Sequence, residues 1–264
     1  MRCLAQRINH LWRWIGTAFS FFVFGLGGIL LPLFAVPVLY LIPSTKRQRE
    51  RRAQGIIHHS FRFYIGMMKC LGVLSYELED VDKLRQAKLI LANHPSLIDV
   101  IFLIALVPNA NCVVKGGLVR NPFTRGPIKT AGYIINENSE GVILAAAEAF
   151  AKNDALIIFP EGTRTTPQQM LRLKRGAANV AIRTAADITP VLIECVPTTL
   201  SKENRWYDVP SKKVHFRIKV CAVVPVAPYL AESAPSVGAR KLTADLTEYF
   251  NKELVLYEQS AARD

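Results

Sequence analysis

Acidic charge is nearly missing from the first 62 residues, where Glu50 stands against nine Lys and Arg (Arg2, Arg7, Arg13, Lys46, Arg47, Arg49, Arg51, Arg52, Arg62). The whole chain carries a formal +12, so this short segment, at +8, leaves only +4 for everything after it. Charge of either sign is absent from residues 14–45. Such a distribution argues against a nucleic-acid binder, whose basic footprint would spread over a folded face. Basic groups bracketing an apolar run fit a membrane surface instead. Paired cysteines are also lacking. Cys3, Cys70, Cys112, Cys195 and Cys221 are scattered, odd in number and without a Cys-x-x-Cys pair, which excludes a disulfide scaffold and fits buried, reduced thiols. No cysteine has a histidine near it in sequence. His58 and His59 are adjacent rather than one helical turn apart, so no metal-ligand spacing appears and no metal is expected. Internal repeats and low-complexity linkers are missing too, leaving one folded domain plus an anchor.

The charge-free run is 32 residues long, about 48 Å as a straight helix against a hydrocarbon core of roughly 30 Å. Gly25, Gly27, Gly28, Pro32, Pro37 and Pro43 punctuate its second half and predict a break or kink. One tilted span and a broken helix returning to the same leaflet both satisfy it. A cleaved signal peptide fits less well, because the run is too long and no small-residue cleavage site follows. The basic cluster 46–52 is expected on the cytoplasmic side, with the folded domain. That makes a membrane protein (of the inner membrane, if bacterial). Residues 51–74 carry a helical stripe of Ile57, Phe61, Tyr64, Met68 and Leu71 with a basic flank, suited equally to the bilayer interface or to a protein core.

Beyond a polar stretch at 77–86, strand-like and helical patterns alternate. Strands are expected at 88–92, 112–115, 132–135, 155–159, 188–196 and 215–224, and helices at 96–106, 140–152, 176–186 and 241–258. The alternation predicts an α/β fold with a mixed, largely parallel sheet flanked by helices.

Two short segments carry chemistry. Asn93-His94-Pro95-Ser96-Leu97-Ile98-Asp99 follows the first of these strands. Residues five apart within one helix lie about 140° from each other, so His94 and Asp99 meet only if His94 sits on the strand-to-helix turn and Asp99 in the first helical turn. Pro95, and Ser96 as N-cap, call for that arrangement. Asp99 then fixes the imidazole tautomer and leaves the other ring nitrogen free to take a proton. The competing reading is structural: Ser96-x-x-Asp99 is also a capping-box pattern. The second segment, Phe159-Pro160-Glu161-Gly162-Thr163-Arg164, ends a buried strand, where α/β folds place ligand groups. Arg164 offers a fork for phosphate or carboxylate, and Gly162 lets backbone approach a ligand.

Together, with Lys115 between them and Ile188-Thr189-Pro190-Val191 after, these segments resemble the lysophospholipid acyltransferase family, typified by 1-acyl-glycerol-3-phosphate O-acyltransferases, over roughly residues 55–225. His94 and Asp99 look like its His-x4-Asp block. The segment 159–164 matches its acceptor-binding block, and Leu173-Lys174-Arg175-Gly176 looks like the basic segment that follows. The resemblance implies a membrane-bound O-acyltransferase that moves a fatty acyl group from acyl carrier protein or coenzyme A to a lysophospholipid hydroxyl. It needs no cofactor beyond that thioester. His94 is the implied base and Asp99 its orienter, while Glu161, Gly162, Thr163 and Arg164, with Lys115 and Lys174, are the implied substrate-binding groups. Residues 1–45 are then the anchor and 46–264 the acyltransferase domain, entered through a basic amphipathic helix at 46–75. One block departs. Gly132-Tyr133-Ile134-Ile135-Asn136-Glu137 places Glu137 where phosphate-acceptor members carry arginine, which opens one alternative, a lipid acceptor without a phosphomonoester; a second, independent of that block, is a non-catalytic lipid-binding member. A thioester hydrolase using the same base on water is a third.

Overall fold

The computed structural model describes residues 2–120, 122–166 and 169–261. Helix α1 (Arg2–Leu30) runs through a π-helical segment (Leu31–Ala35) into α2 (Val36–Leu41). The expected break is thus absorbed without interrupting the helix: Pro32 stands in the first turn of the widened segment. Thr45 then caps α3 (Lys46–Cys70) through a capping box with Gln48. Ile57, Tyr64, Ile65 and Met68 of α3 are buried, so its apolar stripe packs into the core against a later helix rather than facing outward.

The remaining elements are β1 (Leu74–Glu79), a 3₁₀ turn (Val81–Arg85), β2 (Leu89–Ala92), α4 (Asp99–Leu106), β3 (Ala110–Lys115), α5 (Gly116–Arg120), α6 (Pro122–Thr130), β4 (Ile134–Asn136), α7 (Ser139–Ala151), β5 (Ala155–Ile158), α8 (Arg175–Thr184), β6 (Ile188–Val196), β7 (Val214–Val220), α9 (Ala227–Leu230) and α10 (Pro235–Ala261). Seven strands form one sheet in the order β1-β7-β6-β2-β5-β3-β4. β2 to β6 run parallel, while β7 is antiparallel to β6 and carries β1 alongside it in parallel.

The central strands are buried on both faces, as parallel strands covered by helices must be. In β2, Ile90 and Ala92 join the core under α3 and α4, and Leu89 and Leu91 the core under α7, α8 and α10. That period-2 division repeats in β5, with Ala155 and Ile157 on one side and Leu156 and Ile158 on the other. A buried polar chain fixes the opposite end of the sheet. Arg47 donates to both oxygens of Asp154, Asn111 donates to Asp154, and Gln54 donates to Asn111 and to the carbonyl of Ala131. Cys112, Cys195 and Cys221 are buried free thiols, whereas Cys70, at the end of α3, is exposed. The side chain of Cys3 lies outside the described residues.

One face of the N-terminal helix lies against the domain. Thr17 and Ser20 are buried, the Trp12 indole donates to the Leu71 carbonyl, and a Cβ on Gly16 would meet Val73 at 2.8 Å. Further along, Gly126 of α6 abuts Pro32, and the Arg49 guanidinium covers the Tyr40 ring. The other face is open, with Phe19, Phe22, Leu33, Phe34 and Leu41 exposed.

Candidate active site

The two sequence segments meet at the C-terminal edge of the sheet, where β2 and β5 end side by side. Asn93 prolongs the β2–β6 ladder with its own side chain: Nδ2 donates to the Ile193 carbonyl and Oδ1 accepts from the Ile193 N–H. The chain then turns, and the His94 N–H is shared between Glu161 Oε1 (3.1 Å) and Thr165 Oγ1 (3.0 Å). Thr165 answers by donating its N–H to the His94 carbonyl at 2.7 Å and its hydroxyl to Glu161 Oε1 at 2.7 Å. Three hydrogen bonds therefore stitch the histidine turn to the turn after β5, and the fourth braces that second turn internally.

His94 Nδ1 lies 2.9 Å from Asp99 Oδ2, and the same oxygen accepts the Ser96 N–H at 2.7 Å. α4 begins at Asp99, not at Ser96, and the Ser96 hydroxyl makes no cap. Asp99 reaches back to Ser96 as the acidic arm of a capping box would, and it orients the imidazole as well. The capping box is thus only half made, and the same carboxylate oxygen faces the imidazole. With Asp99 ionised, Nδ1 carries the proton and Nε2 is left with its lone pair. Phe159 stacks on the imidazole, centroids 4.1 Å apart, so packing as well as hydrogen bonding holds the ring.

Both carboxylates are buried, Asp99 completely. Burial pushes Asp99 above the usual carboxylate range, opposed by its bonds to His94 and Ser96 and by the charge of Arg164. Burial also raises Glu161, against the Thr165 hydroxyl and the His94 N–H.

The other sequence candidates gather on the same edge. Gly162 has φ +68°, the left-handed region open to glycine, and a Cβ there would stand 2.9 Å from Lys174 Nζ. Lys174 precedes α8, and its N–H is held by the Pro160 carbonyl. Arg164 is half-buried and spends Nη1 on the carbonyls of Leu200 and Ser201. Thr163 is exposed. Lys115 ends β3 opposite Asn136 of β4, and Glu137 is the residue that follows that edge strand. Glu161 is turned inward to the histidine turn rather than toward solvent. Sequence reasoning passed over Thr165, the residue that joins the two segments. Its one outward sign is a hydroxyl four positions after Glu161.

Two hollows share the His94 turn as a wall. On the α3–α4 face, an apolar cavity of about 290 Å³ is lined by Phe21, Phe24, Tyr64, Leu97, Ile98 and Leu200 among others. On the α8–α10 face, an open groove of about 1550 Å³ reaches Asn93, Pro95 and Thr165.

Residues 74–194 match the model of the Acyltransferase family. A 1-acyl-sn-glycerol-3-phosphate acyltransferase of Helicobacter pylori is 35% identical over 136 residues, covering 48% of this chain and 57% of the relative. The human 1-acyl-sn-glycerol-3-phosphate acyltransferase beta is 23% identical over 67% of this chain and 63% of its own length. The chain thus spans about three fifths of these relatives. The crystal structure of the 1-acyl-sn-glycerophosphate acyltransferase PlsC from Thermotoga maritima superposes with a TM-score of 0.69 at 18% identity, covering 94% of this chain and 97% of that one, and so shares the fold. Residues 74–194, just under half of the chain and holding both motifs, are thus similar to the acyltransferase family.

Proposed function

We propose that the protein is a membrane-bound O-acyltransferase that transfers a fatty acyl group from a thioester to the free hydroxyl of 1-acyl-glycerol-3-phosphate. The observation that carries this reading is the His94–Asp99 pair, buried on one side, open at Nε2, and bonded through the His94 backbone to Glu161 and Thr165. His94 Nε2 takes the hydroxyl proton as the oxygen attacks the thioester carbonyl. The tetrahedral intermediate collapses, and the departing thiolate takes the proton back from the imidazolium. The products are an ester and a free thiol, with no acyl-enzyme. General-base assistance of this kind contributes about 10²- to 10⁴-fold. The reaction needs no cofactor beyond the acyl thioester.

The acceptor phosphate would lie among Arg164, Lys174 and Lys115, cations gathered at one sheet edge beside the left-handed Gly162 turn. The apolar cavity would take an acyl chain. The open groove on the far face gives a water-soluble donor, acyl carrier protein or coenzyme A, an approach from the side away from the N-terminal helix. That helix is apolar and long enough to cross a membrane, over Gln6–Leu41. Yet the domain touches it from Trp12 to Tyr40, about 42 Å of helix at 1.5 Å per residue. Crossing would draw the domain into the bilayer, so the helix is read as lying in one leaflet, with the domain on the cytoplasmic side. Glu137, the residue after the β4 partner of Lys115, motivates a second reading, in which the acceptor lacks a phosphomonoester, because a carboxylate at a phosphate site would repel one.

The test is product analysis. Purified protein is given an acyl thioester with lysophosphatidate, with a phosphate-free lysolipid, or with no acceptor, and lipids are identified by mass spectrometry. Phosphatidate alone supports the main reading. A product from the phosphate-free acceptor alone transfers support to the second, and thiol release without any acceptor would make the protein a hydrolase.

A further inference from the structure

The segment between β6 and β7 stands out because the catalytic arrangement uses only its first residues. Arg164 and the Leu97 N–H hold it at Leu200 and Ser201, and from there residues 202–213 extend along the N-terminal helix. The Trp206 ring packs on Phe21 of α1 with centroids 5.6 Å apart, and Arg13 of α1 donates to the Ser211 carbonyl. Trp206 and Tyr207 nonetheless remain 48% and 42% exposed. Beside them stand Lys202, Arg205, Lys212 and Lys213, all exposed, against Glu203 and Asp208. Among the described residues none of these four cations forms an ion pair. Arg205 covers the Tyr207 ring and donates to its hydroxyl, which keeps the aromatic and the charge at one level.

We infer that the 202–213 loop is a second membrane-contact element, seating Trp206 and Tyr207 at the headgroup level of an anionic bilayer and presenting Lys202, Arg205, Lys212 and Lys213 to its phosphates. Amphipathic rings prefer that depth, and unpaired Lys and Arg beside them are drawn to anionic lipid. The loop's ring contact with Phe21 makes it continuous with the exposed apolar side chains of α1, which are the natural occupants of the same leaflet. A soluble partner would not account for this continuity, because it would have to cover lipid-facing residues of the helix. The apolar cavity is lined by Phe21 and Phe24 of α1 and by Trp206 and Val209 of the loop. Docking of the loop therefore sets the cavity against the bilayer.

The inference rests on membrane association, and the experiment separates the two. Full-length protein carrying W12F and W14F, so that Trp206 is the only indole, is mixed with phosphatidylglycerol-containing vesicles bearing bromine on acyl carbons 6 and 7. Pelleting reports binding, and Trp206 emission reports depth. Hydrogen exchange of the unaltered protein over 202–213 gives a variant-free readout. The expected result is pelleting with quenched Trp206 emission and slowed exchange in the loop. Replacing Lys212 and Lys213 by Gln should weaken binding about thirtyfold, given the contribution of each cation near such a surface. Pelleting with unquenched emission and unchanged exchange would overturn the inference while leaving the membrane reading intact. Failure of the unaltered protein to pellet would defeat both.

Discussion

Asp99 has two duties in one oxygen, since Oδ2 accepts from both the imidazole and the Ser96 N–H. In Asp99→Asn, an amide oxygen placed there can keep both bonds, but its NH₂ then occupies the fully buried Oδ1 position, which has no protein partner. Rotating the amide instead sets two donors face to face and imposes the wrong tautomer. Loss of about 1–3 kcal/mol of stability is expected, together with a fall in kcat of roughly 10²- to 10⁴-fold, read from denaturant melts and steady-state rates. Glu161 offers a pH test. Its folded value is raised by burial above the ordinary 4.5, so the native state holds a proton that the unfolded state has released. The associated stability is fully present below 4.5 and is lost as pH rises through the folded value. Glu161→Gln keeps an oxygen for His94 and Thr165 but removes the ionisation. Its melting temperature should therefore decline less than the wild type's between pH 4.5 and 7, and a steeper decline would contradict this assignment. The pairing of His94 with Asp99 was legible in the sequence, because Pro95 and the five-residue spacing leave few other geometries. The inward turn of Glu161 was not, because it depends on Thr165 arriving from across the sheet edge.

Among the elements, the turn after β5 is the least replaceable. Gly162 combines a positive φ with an ammonium where a side chain would stand. Gly162→Ala should lose about 1–2 kcal/mol through backbone strain and push Lys174 aside. The expected kinetic signature is a higher acceptor KM with kcat largely kept, because His94 is untouched. Most of the sheet could be read from the alternation of strands and helices, and residues 188–196 form β6 as expected. β1 could not, because Glu77 and Glu79 made it look like a polar loop. Their partner, Arg217, sits directly across on β7, a neighbour 140 positions away that only the topology supplies. α5 and α6 were hidden for a similar reason: Gly117, Pro122, Gly126 and Pro127 read as loop, and Gly126 is suited to its helix by its contact with Pro32.

At the scale of the molecule, the sheet divides one side, where α1, α3 and α4 enclose an apolar cavity, from another, where α8 and α10 border a larger open groove. His94 stands on the edge between them. Under the proposed function, a lipid chain and a water-borne thioester would approach the His94 turn from opposite faces. On the same proposal, acceptor choice would fall to the charges along the edge. Glu137→Arg should raise kcat/KM for lysophosphatidate if its carboxylate opposes the phosphate, and an unchanged value would remove the main reason to favour a phosphate-free acceptor. The most direct measurement is lysophosphatidate-dependent thiol release by purified wild type and His94→Ala, each verified as folded by its melting transition. The account predicts release by the wild type that requires the acceptor and falls at least a hundredfold, roughly, in the variant. Equal release by a folded His94→Ala protein would contradict it.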